Sequence, residues 1–183
     1  MSRMQFILLI PITSIAFSSL SCGEPKSKAD SDKAQTMPLP AFAMKDGDGK
    51  EYSNKSFENC TGMMSFVASW CGPCKTELAE ANALAQKYSQ LLVLAITYES
   101  PEFYGDVMES LKASIPILQA DSAFFAAMGV SQLPTRMLIS KGNIVSKVTG
   151  APVPPDTQFD RMLKKCLGID KDTIAQSKWS RCP

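Results

Sequence analysis

Apolar positions along this chain fall into short blocks of distinct period. Residues 63–68, Met63-Met64-Ser65-Phe66-Val67-Ala68, are almost continuously apolar, the pattern of a central strand covered on both faces. Leu78, Ala81, Leu84, Ala85 and Tyr88 then recur at helical spacing. Residues 91–96 return to an unbroken apolar run, which completes a predicted strand–helix–strand crossover. Ser100-Pro101 opens a further helix with proline in its first turn, carrying Phe103, Val107, Met108 and Leu111. A short apolar segment at 115–118 follows, and Asp121 caps a compact helix that runs through Met128 and closes at Gly129. Residues 137–139 and 144–148, joined by Lys141-Gly142-Asn143, predict an antiparallel pair. Pro152 to Pro155 form a stiff connector. Asp156 then caps a last helix with Phe159, Met162, Leu163, Cys166 and Leu167 on one face, ending at Gly168. Upstream, residues 39–52 read as a β-hairpin. Its Asp46-Gly47-Asp48-Gly49 centre lacks the further oxygen ligands of a calcium loop and is expected to be a turn.

The ends follow other rules. Arg3 precedes an apolar stretch from Phe6 to Leu20, the length of a secretory h-region and short for a membrane span. Ser19-Leu20-Ser21-Cys22 is similar to a bacterial lipoprotein processing site, with Cys22 as the lipidated new N-terminus; Ser19 stands where leucine is usual. Plain signal cleavage after Ser18 is the alternative. Residues 23–37 are rich in Lys, Asp, Ser and Ala without apolar period, as in a solvated tether. The expected organisation is a signal peptide over 1–21, a flexible tether over 22–37, one domain over 38–168 and a polar tail over 169–183, where Trp179 is the large apolar residue.

Composition narrows the function. Removing 21 residues takes Arg3 away and leaves 18 basic and 18 acidic side chains in 162 residues. A near-neutral chain without a long basic run gives no support to nucleic-acid binding. Six cysteines in an exported chain are able to oxidise. Histidine is absent from the sequence and there is a single CxxC, so a zinc site has too few ligands, and no metal is expected.

That CxxC is Trp70-Cys71-Gly72-Pro73-Cys74, lying between the predicted strand and helix. Two thiols so spaced open and close a small disulfide ring. Cys71 at a helix N-terminus meets unpaired N–H groups and the positive end of the helix dipole, a setting that typically lowers a cysteine pKa from about 8.5 to roughly 3.5–7.5. Cys71, nearer the surface, is the expected nucleophile and Cys74 the resolving thiol. Trp70 is expected to shield one side of the pair, Gly72 to permit close approach and Pro73 to stiffen the first turn.

Residues 66–75, Leu133-Pro134-Thr135 and the 45–50 hairpin together resemble the thioredoxin superfamily, and within it the TlpA/ResA-like extracytoplasmic thiol-disulfide reductases. The resemblance spans about residues 38–168. It implies an α/β thioredoxin fold, a central mixed β-sheet flanked by helices with an N-terminal β-hairpin extension. It also implies a cis Pro134 facing the dithiol, a Leu133 backbone left open to an extended substrate, Leu133 and Thr135 beside that substrate, and a Gly-Pro dipeptide suited to a reductant. Where thioredoxin has a buried aspartate, this chain has Ser65. Glu77 matches a glutamate of the ResA-like proteins three residues after the second cysteine, with a role in taking the Cys74 proton; an exposed acid of the first helical turn is the other reading. The resemblance implies no bound cofactor. Its partners are disulfide-bearing exported proteins, with apocytochrome c as one candidate, and a membrane-embedded thiol carrier as electron donor. The place is the periplasmic side of a bacterial envelope, held by a lipid anchor. Cys60, Cys166 and Cys182 remain, and a Cys60–Cys166 or Cys166–Cys182 bridge is open on sequence. A peroxiredoxin-like peroxidase and a metal-delivery or redox-inactive protein on the same fold are the alternatives. The first fits poorly with a second cysteine at this spacing, the second with CxxC and no histidine.

Overall fold

The computed structural model describes residues 36–150 and 157–169. Its centre is the apolar run: β4, Thr61–Phe66, is buried at every residue. Period-two alternation sends its side chains to opposite faces. Met63 packs with Leu78, Ala81, Val93, Leu138 and Leu163 on one side. Met64 and Phe66 pack with Phe57, Leu94, Ile96, Phe124 and Met137 on the other. A strand between two cores has no polar face, which is why the alternation is invisible in its sequence.

In chain order the other elements are β1 (Met37–Pro38), β2 (Ala43–Lys45), β3 (Glu51–Ser53), α1 (Gly72–Lys87), β5 (Leu91–Thr97), α2 (Gly105–Ser110), β6 (Ile117–Gln119), α3 (Ser122–Ala127), β7 (Thr135–Ser140), β8 (Asn143–Thr149) and α4 (Thr157–Cys166). Six strands form one sheet in the order β1-β8-β7-β4-β5-β6, with β2 and β3 as a separate hairpin. β4, β5 and β6 are parallel, whereas β7 and β8 run antiparallel to their neighbours. The mixed sheet flanked by helices is a thioredoxin-like fold, as expected.

The differences lie at element ends. The hairpin spans residues 43–53 rather than 39–52, because the Leu39 N–H is drawn to the Gly142 carbonyl beside the pairing of Met37 and Pro38 with β8. Its turn is closed by Asp46, whose Oδ1 accepts the N–H groups of Asp48 and Lys50. β4 stops at Phe66: the Val67 N–H reaches the Ile96 carbonyl, and the Ala68 carbonyl accepts from Cys71 N–H, turning the chain into α1. The segment from Pro101 starts as a 3-10 turn, Pro101–Tyr104, before α2, because the buried Tyr104 hydroxyl is drawn back to Thr97 and Glu99. Asp121 caps α3 through the Phe124 N–H, as its sequence predicts. The signal peptide, the tether with Cys22, the Pro152–Pro155 connector, the Asp156 cap, Trp179 and Cys182 lie outside the described residues.

Cys60 immediately precedes β4 at the end opposite the motif, and the Thr61 hydroxyl donates to the Cys166 carbonyl at 3.0 Å, so the last helix does return there. The Cys60–Cys166 bridge is nevertheless not made: Cys60 is disulfide-bonded, and Cys166 is not its partner.

Candidate active site

The strand-to-helix turn carries the chemistry. Cys71 is the N-cap of α1, with extended backbone, and Pro73 occupies the first turn. Cys71 and Cys74 form a disulfide with Cα atoms 5.3 Å apart. Both are buried, Cys71 less completely at 5% exposed against 1% for Cys74. Gly72 and Pro73 are exposed and form the rim. The Leu133–Pro134 peptide bond is cis. The Pro134 carbonyl accepts from Gly150 N–H, and among the described residues neither backbone group of Leu133 is hydrogen-bonded. Thr135 is fully buried, its hydroxyl donating to the Gln132 carbonyl at 2.7 Å, so its side chain faces the interior.

Trp70 is 70% exposed. Its indole N–H donates to the Tyr98 hydroxyl at 2.7 Å, and the Tyr98 ring meets Phe125 edge-on. With Val130 and Leu133 they line an open cavity of about 440 Å³. The bulky aromatic is therefore a wall beside the site, not core packing.

Behind the turn stands a hydrogen-bonded support. Glu99, just past β5, accepts from the Ser69 N–H at 2.6 Å, the Ser69 hydroxyl at 2.8 Å and the Tyr104 hydroxyl at 2.9 Å. Desolvation alone would raise its carboxyl, but these donors outweigh it and hold Glu99 below the usual carboxylate range. Burial is likewise the main reason that the Tyr104 phenol lies above its ordinary value.

Glu77 projects from α1 into the space that Ser65 leaves. It is 1% exposed, so the reading as an exposed first-turn acid is overturned. Ser65 Oγ donates to it at 2.6 Å, and Arg136 of β7 binds both its oxygens, the shortest contact being 2.6 Å. Arg136 also reaches Glu80 at 2.8 Å and lies 5.0 Å over the Phe159 ring. Burial opposes its charge, but Glu77 first and Glu80 second more than offset this and raise its pKa above the ordinary value. Arg136, Glu99, Ser69 and Tyr98 are site residues that the sequence reading missed. A lone arginine after Pro-Thr, inside an apolar strand (Thr135-Arg136-Met137-Leu138), was the one available signal: a charge there must be paired. Among the described residues no group of three or more His, Cys, Asp or Glu is disposed to hold a metal.

A dithiol–disulfide pair at the N-cap of a helix, with a cis-proline just before the strand that pairs with β4 in a thioredoxin-like sheet, defines a thiol-disulfide oxidoreductase. The chain belongs to the redoxin family, which it matches over residues 34–163. It is 28% identical over 131 residues to the thiol-disulfide oxidoreductase ResA of Bacillus thuringiensis, covering 69% of this chain and 75% of that one. It is 32% identical over 103 residues to thioredoxin of Haemophilus influenzae, with 56% and 77% covered. Among solved structures, a DsbE-type thiol:disulfide interchange protein of Chlorobium tepidum superimposes with TM-score 0.66 at 20% identity, over 73% of this chain and 97% of the other.

Proposed function

We propose that the protein works as a reductase of protein disulfides on the outer side of a bacterial cytoplasmic membrane, tethered through Cys22. The observation that carries the reading is the Cys71–Cys74 disulfide at the N-cap of α1, at the end of β4 where Phe66 pairs with Thr135, the residue after cis Pro134. There the Cys71 thiolate attacks a substrate disulfide, forming a mixed disulfide, and Cys74 resolves it. The open Leu133 backbone suits an extended substrate segment, and Trp70, Tyr98 and Phe125 offer an apolar wall to its neighbouring side chain. Similarity to ResA supports the branch of the family, and the Gly72-Pro73 dipeptide supports the reducing direction. Electrons then come from a membrane thiol carrier, and exported cystine-bearing proteins, apocytochrome c among them, are the substrate class. The proposed attachment is the lipidated Cys22; among the described residues no helix is long and apolar enough to cross a membrane.

The direction is tested by the reduction potential of the Cys71–Cys74 pair against glutathione and dithiothreitol buffers. A value near thioredoxin's, about −270 mV, is expected; one near DsbA's, about −120 mV, reverses the electron flow.

A further inference from the structure

The cluster around Glu77 has a geometry that the dithiol alone does not require. Glu77 follows Cys74 by three residues on α1, hence on the same helical face, and both side chains are buried. A carboxylate shut away from water tends to take up a proton of its own unless a cation is supplied. The cation here is Arg136, from the strand that begins at Thr135 beside cis Pro134. Among the described residues β4 and β5 carry no charged side chain, Glu80 of the same helix accepts from the same Nη2 of Arg136 that bonds Glu77, and α4 sets the Phe159 ring against the guanidinium. The Asp160 and Lys164 side chains of α4 pair with each other at its surface.

We propose that Arg136 is a positioning residue of the resolving step. Anchored by Glu80 and Phe159, it holds the Glu77 carboxylate turned toward Ser65, on the Cys74 face of α1. This rests on reading the pair as a disulfide reductase and extends that reading to the proton on Cys74. In the mixed disulfide, the Cys74 thiol passes its proton to Glu77 and its sulfur attacks the Cys71 sulfur. The Cys71–Cys74 bond forms, the bond from Cys71 to the substrate sulfur breaks, and that sulfur leaves with the electron pair. It takes up a proton from Glu77 or water. Over the cycle the substrate gains two electrons and two protons, and the enzyme dithiol loses them.

The test mixes reduced protein with a stoichiometric aryl disulfide, dithionitrobenzoate, from pH 4.5 to 8. The first equivalent of coloured thiolate reports attack by Cys71, and the second reports resolution by Cys74. Arg136→Met is expected to shift the acid limb of the second phase upward by about one pH unit or more, slowing it about tenfold at pH 6. Arg136→Lys keeps the cation without the forked geometry. It is expected to slow the second phase several-fold while leaving its acid limb in place, and it serves where the methionine variant does not fold. Second-phase rates and profiles that coincide with the unmodified protein in either folded variant overturn the proposal. Absence of any second equivalent from the unmodified protein instead overturns the dithiol reductase reading itself.

Discussion

Glu99 shows how much a single side chain contributes to holding the reactive turn. Its carboxylate takes both the N–H and the hydroxyl of Ser69, two residues before Cys71, and a third bond from buried Tyr104. Because its pKa is lowered on folding, the stability it contributes is present above the unfolded carboxylate value of about 4.3 and is lost as pH falls through the lower folded value. Glu99→Gln is therefore expected to flatten the acid side of a melting-temperature-versus-pH profile, with a lower melting temperature near pH 7. Equal acid dependence in both proteins removes Glu99 from this role. Sequence made Cys71 and Cys74 legible because the two thiols stand three positions apart in one motif. Glu99 and Arg136 were not, since their partners stand 30 and 59 residues away and only the crossover of β5 and the pairing of β7 with β4 brings them together. Glu77 fell between: its place three residues after Cys74 singled it out, whereas its arginine partner, 59 residues away, was not legible.

At the scale of elements, the predicted strands and helices hold because apolar period reports burial. Their ends differ because hydrogen bonds, not apolarity, set them. Gly62 is a case that period cannot reveal. It lies inside β4, where glycine ordinarily weakens a strand, yet a Cβ at this position would run into the Phe57 ring and press on the Leu92 carbonyl. Phe57 is fully buried and its carbonyl accepts from Gly142 N–H in the β7–β8 turn, so the ring has little room to give. Gly62→Ala is expected to destabilise the fold by about 1–3 kcal/mol, the usual cost of overpacking, despite the better strand propensity of alanine. Urea unfolding measures it; an unchanged midpoint would mean that Phe57 relaxes.

For the molecule as a whole, the site and its stability are joined by a closed cycle. Oxidising the pair and unfolding the chain can be done in either order, so the difference in stability between disulfide and dithiol forms equals the difference in potential between folded and unfolded chains. About 30 mV corresponds to 1.4 kcal/mol for two electrons. DsbA is a strong oxidant because its reduced form is the stabilised one. A reductase requires the opposite sign: its fold must favour the disulfide. Here two buried sulfurs sit in a core with Leu78, Val67 and Ala68. Burial opposes thiolate formation. It acts against the helix N-terminus, which favours it. The oxidised protein is accordingly expected to melt above the dithiol form, when both are followed by circular dichroism at pH 7 with the reduced sample poised in a dithiothreitol redox buffer that opens the Cys71–Cys74 pair and leaves the Cys60 disulfide closed. A dithiol form that melts higher makes the helix dipole the stronger influence, and places the protein on the oxidising side of its family.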